Sequence, residues 1–285
     1  MELGMFTSGY QRYPLERAFS DANRFGYDYI ELWGGRPHAF APDLNSGELR
    51  AVLALIDHYS MPVRVYTPEH NAYPYNFMSG SELQWRDSID YLKLSLTMGK
   101  ALGADYTLIS TGHGGYTATR KEIWDRLKRS LRELTEHAES IGHPILLEAL
   151  SPCETNVCTS AADLLEALDA VDSPFLLGMC DVVPPFVSRE PILNYLDMLG
   201  SRMAHLHLVD SDGTDDTHLL PGDGSIPLAE LLNELSEQGY SGRATLELVT
   251  AYLNEPSLYA SRALRRVRNM LSEGQERKPD HGTRI

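Results

Sequence analysis

The feature that most constrains the fold is an alternation: a short apolar run followed by a longer amphipathic one, eight times along the chain. The apolar runs, at residues 3–7, 27–32, 63–67, 106–110, 145–148, 175–181, 203–209 and 244–249, have strand length. The amphipathic runs have helical spacing over 14–25, 47–59, 81–102, 119–141, 160–170, 190–199, 228–238 and 256–271. Strand-then-helix repeats impose parallel pairing with right-handed crossovers. Eight of them in 285 residues, with no break in composition, predict an α/β fold, a (β/α)8 TIM barrel over residues 1–272. An open doubly wound sheet normally shows shorter edge strands and a glycine-rich first turn, and the sequence has neither. Residues 273–285 are polar, without apolar period, and read as a disordered tail.

Charge narrows the partners. Forty acidic against 25 basic residues leave a net charge of −15, which argues against nucleic acid, since phosphate binding needs a basic face. Three cysteines without a C-x-x-C pair suit reduced thiols in the cytoplasm. The first residues lack a basic stretch followed by an apolar one, so no signal peptide is expected. No apolar run approaches the roughly 20 residues of a membrane span. A soluble, cytoplasmic protein is the expectation.

Thr119 and Ser160 are placed to cap helices, and Gly26, Gly103, Gly142, Gly200 and Gly239 stand just past helix ends. The richest loops follow the second strand (33–40) and the third (68–80). Both belong to the face where barrel enzymes keep their chemistry.

The stretch P-I-L-L-E, residues 144–148, runs a buried strand into an acid, and an uncompensated buried carboxylate is costly. Side chains alternate along a strand, so each strand offers one set to the helices and one to the barrel interior. In the seventh strand Met203, His205, His207 and Val209 form the interior set, opposed by Ala204, Leu206 and Leu208. In the eighth, Thr245, Glu247 and Val249 oppose Ala244, Leu246 and Leu248. With Leu146 and Glu148 on the fifth, and Leu177, Met179 and Asp181 on the sixth, each strand delivers one ionisable residue near its end. Glu148, Asp181, His207 and Glu247 are each separated by about one βα unit and converge at one rim. Three carboxylates and one imidazole suit a divalent Mn, Co, Ni or Mg ion better than a thiolate-type zinc site. His205, two residues deeper, reads as a hydrogen-bonded core histidine.

This Glu–Asp–His–Glu order on strands five to eight resembles the ketose 3-epimerase group of the xylose-isomerase-like TIM barrels. The resemblance implies that Glu148, Asp181, His207 and Glu247 are metal ligands and that Glu148 and Glu247 are also the two catalytic bases. It further implies a substrate-binding glutamate at Glu154. Two positions depart from the group's pattern: Pro184 stands where it has a histidine and Gly213 where it has an arginine, both at one end of a free ketose. A different substrate is therefore expected. A closer likeness to enzymes of that group acting on a lysine-conjugated ketose is carried by residues 4–14, 31–44, 66–76, 205–213 and 247–260. It implies a small sugar-amine substrate and inversion at C3 through a metal-stabilised cis-enediolate.

Other residues near that rim are candidates of lesser weight. His113 and Tyr66 point towards the rim and could touch substrate. His218 lies on the loop after the seventh strand, where P-G-D-G reads as a turn. Glu69, Asp210 and Asp212 could attract an ammonium group, whereas Arg36 and His38 read equally well as solvated loop residues. Trp33, Tyr73 and Tyr75 could cover an aliphatic lysine arm or pack a subunit interface in a homo-oligomer. Two other functions fit the same barrel. A phosphodiesterase of the endonuclease IV type would need more histidines for several zinc ions. A non-catalytic sugar-binding barrel would have little need for two opposed glutamates.

Overall fold

The computed structural model describes residues 1–71, 74–249 and 252–276. Eight parallel strands close into a barrel in sequence order. They are β1 (Glu2–Phe6), β2 (Tyr29–Gly34), β3 (Val63–Pro68), β4 (Tyr106–Ser110), β5 (Ile145–Glu148), β6 (Leu176–Asp181), β7 (Met203–His207) and β8 (Arg243–Leu246). The crossover helices are α1 (Leu15–Phe25), α2 (Leu49–Tyr59), α3 (Glu82–Ala101), α4 (Arg120–Ile141), α5 (Ala161–Val171), α6 (Asn194–Leu199), α7 (Leu228–Glu237) and α8 (Pro256–Glu276). A closed eight-stranded parallel barrel is thus what the alternation predicts.

Local chemistry explains the helix limits. Thr119 caps α4 in a reciprocal capping box with Glu122, and the Ser160 side chain accepts from the Asp163 backbone N–H at the start of α5. Gly26 and Gly142 end α1 and α4 in the left-handed region, at φ 84° and 64°. The sixth helix begins at Asn194 rather than at residue 190. Pro191 disfavours helical backbone at Glu190, and a separate short helix, Val183–Val187, takes up part of the preceding segment. The last helix continues to Glu276, past the expected end of the barrel domain, and residues 277–285 of the expected tail lie outside the described residues.

Two apolar layers hold the barrel. The larger fills the space between strands and helices and includes Leu147, Cys180, Leu206, Ala244 and Leu246. The smaller plugs the barrel interior with Val65, Leu108, Leu146 and Met179. Leu146 and Met179 each lie two residues before a strand-end acid, so the plug floors the site above it.

Strict alternation fails in two strands. At β7 the register passes from Gly178↔Met203 to Met179↔His205, an irregularity that adds a residue on β7. Met203 therefore packs with the helices and Ala204 against the interior plug, the reverse of the expectation, while His205 and His207 still face inwards. Val209, past the strand, also joins the outer layer. A matching irregularity between Ile30 and Glu31 sends Val65 and Thr67 indoors and turns Tyr66 outwards. Among the described residues no helix is long and apolar enough to cross a membrane.

Candidate active site

Three strands end on candidate residues: Glu148, Asp181 and His207 are the last residues of β5, β6 and β7, and Glu247 follows β8 directly. Asp181 and His207 are register partners, so their side chains start from adjacent rungs. His207 Nδ1 lies 2.7 Å from Glu247 Oε2, 3.5 Å from Glu148 Oε1 and 3.8 Å from Asp181 Oδ2. All four sequence candidates are brought together.

The Nδ1 atom is buried and makes no hydrogen bond despite these neighbours. Glu247 Oε2, the nearest of these oxygens at 2.7 Å, is therefore close without being placed for a hydrogen bond. The ligand atoms of Glu148, Asp181 and His207 lie within 4.8 Å of one another, as do those of Asp181, His218 and Glu247, and carboxylate-rich sets with an imidazole fit a hard divalent cation. The surrounding cavity, about 270 Å³, has no lysine or arginine in its described lining to compensate those acids.

The acids respond to one another. Burial, together with the charges of Glu247 and Asp181, pushes Glu148 up to about 7 against the pull of His207. Asp181 stays below its ordinary value although burial raises it, because His218 and His207 face it and the Val183 N–H donates to it. On the other nitrogen of His207, Nε2 lies 3.0 Å from Glu31 Oε1, and Glu31 is fully buried.

Glu154 lines the same cavity, beside Asp216. Glu154 as a residue is exposed, yet lost hydration of its carboxyl and the adjacent Asp216 push that group up to about 9. The Ser151 hydroxyl lies between them, 3.3 Å from Glu154 Oε2 and 3.1 Å from Asp216 Oδ2. Pro184 also lines the cavity, whereas Gly213 is exposed on the loop after β7, at φ 82°.

Two candidates are placed elsewhere. Tyr66 is buried against the helical layer, its hydroxyl donating to Ala39 O at 2.8 Å, and is absent from the cavity wall because of the shifted pairing of β2 and β3. His113 turns to its own loop, where Nδ1 accepts the Gly115 N–H and the ring meets Tyr116.

The remaining loop residues divide. Trp33 and Glu69 line the cavity, with indole Nε1 donating to Glu69 Oε2 at 2.6 Å. Arg36 is paired with Asp43, His38 Nε2 contacts Tyr13 O, and Tyr75 stacks on Tyr91 at 3.8 Å. Tyr73 lies outside the described residues. Asp212 caps Thr214 at the surface.

Asp210 is buried and accepts the N–H groups of Ser211, Gly222 and Ile226, which folds the loop after β7 back on itself. Gly224 is required there: a Cβ would stand 2.3 Å from Asp210 Oδ1.

That loop also delivers a histidine to the cluster. His218 Nε2 sits 3.4 Å from Asp181 Oδ2 and its Nδ1 3.6 Å from Glu247 Oε2. Asp216, on the cavity wall, and Glu31, behind His207, are further neighbours of the cluster. For Glu31 a signal existed, because alternation within residues 27–32 places it on the interior set with Tyr29.

A family model described as xylose isomerase-like TIM barrel matches residues 19–270. The chain belongs to that family. It is 52% identical over 275 residues to a fructoselysine 3-epimerase of Shigella flexneri, covering 96% of this chain and 100% of that one. Among solved structures, an L-ribulose 3-epimerase superposes with a TM-score of 0.83 at 16% identity, covering 99% of this chain and 100% of that one. The IolI protein, in a crystal structure with a bound zinc atom, superposes with a TM-score of 0.81 at 19% identity, covering 96% and 99%. At such identities these two likenesses speak to the fold.

Proposed function

We propose that the protein is a divalent-metal-dependent isomerase that inverts C3 of a ketose, with fructoselysine and psicoselysine as the interconverted pair. The observation that carries this reading is the placement of Glu148 and Glu247 around one histidine nitrogen, from strands separated by β6 and β7. The identity to a fructoselysine 3-epimerase, running through the length of both chains, supports the choice of substrate.

Glu148, Asp181, His207 and Glu247 are the residues that would hold the ion. When bound, it supplies Lewis-acid stabilisation of the charge that develops on the ketose oxygens. The C3 hydrogen is α to the C2 ketone. One glutamate takes it from one face of the carbon, and the other returns a proton to the opposite face, which inverts the centre. Glu154, next to Asp216 on the cavity wall, holds the substrate beyond the reacting carbons. Phe6, Trp33 and Leu150 give the wall an apolar portion on which the methylenes of a lysine arm can lie.

The test is hydrogen exchange at C3. Protein stripped with EDTA and resupplied with Mn, Co, Ni or Mg should wash deuterium from D₂O into fructoselysine at C3 and yield psicoselysine. Absence of exchange with every metal overturns the reading. Exchange with free ketoses but none with fructoselysine overturns the substrate alone.

A further inference from the structure

The interior of the barrel holds a second arrangement around His207, on the side away from the acid cluster. Glu31, on β2, reaches across to β7 and meets two histidines with one carboxylate. Its Oε1 lies 3.0 Å from His207 Nε2 and its Oε2 lies 3.0 Å from His205 Nε2. The Thr67 hydroxyl donates to Oε1 at 2.7 Å, fixing the carboxylate from a third direction. The same His205 Nε2 also lies 3.1 Å from Thr245 Oγ1, so its one hydrogen is shared between Glu31 and the threonine, and Thr245 is 2.9 Å from the Tyr29 hydroxyl. Glu31, His205, His207 and Thr245 are all 1% exposed or less, so water cannot replace these partners.

A carboxylate only accepts hydrogen bonds, so both imidazoles present an Nε2–H to Glu31. A neutral His207 with its hydrogen on Nε2 keeps a lone pair on Nδ1. That is the nitrogen within 3.8 Å of the Glu148, Asp181 and Glu247 carboxylates, buried and without a hydrogen bond.

We infer that Glu31 is the positioning residue of the metal centre: it selects the ligating nitrogen of His207 and fixes the ring's orientation, with His205 and Thr67 holding the carboxylate in place. This rests on the metal-centre reading above and adds a residue that touches neither substrate nor ion. It also gives His205 a task. Partners of this kind behind a ligating histidine are worth about 10- to 100-fold in metal affinity.

The experiment is a calorimetric Mn²⁺ titration of EDTA-stripped full-length protein, comparing wild type with Glu31→Ala and Glu31→Gln. Glu31→Ala should bind Mn²⁺ about 10- to 100-fold more weakly. Glu31→Gln, which keeps an acceptor for His207, should recover most of that loss. A purely structural Glu31 would lower the melting temperature of both variants and leave Mn²⁺ affinity unchanged, and that result overturns the inference. No Mn²⁺ binding by wild type would instead overturn the metal centre itself. If Glu31→Ala does not fold, ¹⁵N spectra of histidine-labelled wild type loaded with Mg²⁺ decide. A hydrogen on Nε2 of His207 supports the inference, and a hydrogen on Nδ1 overturns it.

Discussion

His218 Nε2 stands 3.4 Å from Asp181 Oδ2, so a loop side chain completes a cluster otherwise built from strand ends. Its second nitrogen lies 3.6 Å from Glu247 Oε2. His218 therefore bridges, by position, two of the acids proposed to hold the ion. Replacing it with alanine should lower C3 exchange about 10- to 100-fold, in the range seen for groups that orient metal ligands. Unchanged exchange rates in His218→Ala would show that the loop merely covers the site.

The same loop depends on Asp210. Its carboxylate serves three backbone N–H groups in a buried setting, so Asp210→Ala leaves donors without partners. Hydrogen bonds to a charged group are individually strong, and the loss should total about 3 kcal/mol of stability. Urea unfolding would read it directly. A midpoint equal to that of wild type would contradict this assignment.

Glu148 and Glu247 are each required if proton removal and return occur on opposite faces. Glu148→Gln and Glu247→Gln should each reduce exchange by at least about 100-fold, the usual worth of a positioned acid or base. The loss should persist at saturating Mn²⁺, which separates proton transfer from weakened metal binding. Either variant turning over at the wild-type rate would exclude a two-base reaction.

Glu154 makes a prediction about pH. Lost hydration and Asp216 raise its carboxyl from 4.5 to about 9. Between those values the folded protein keeps a proton that the unfolded chain has released, so stability falls as pH rises through the window. Glu154→Gln removes that contribution. Melting temperatures of metal-free protein should decline more steeply with pH in wild type than in the variant, and parallel curves would refute the assignment.

Much of this site can be read along the chain because its four strand-end residues obey a local rule. Strand alternation predicts that Glu148, Asp181, His207 and Glu247 share an interior face, and the structure places them around one nitrogen. The rule misplaces Ala204 and Met203, and Tyr66, expected at the rim, faces the helical layer instead. One extra residue in a strand reverses the facing of its neighbours, and nothing in the composition of β3 or β7 marks where it falls.

By itself the sequence determined the eightfold alternation, the parallel barrel and the rim where the acids gather. Those follow from periodicity and strand direction, which each segment carries within itself. The tertiary structure alone decided that Glu31 of β2 holds His207 of β7, that His218 reaches Asp181, and that Asp216 lies beside Glu154. These contacts join residues distant in the chain, across a closed barrel or through a folded-back loop. Their distances are set by barrel closure and loop folding, for which the spacing of residues along the chain carries no signal.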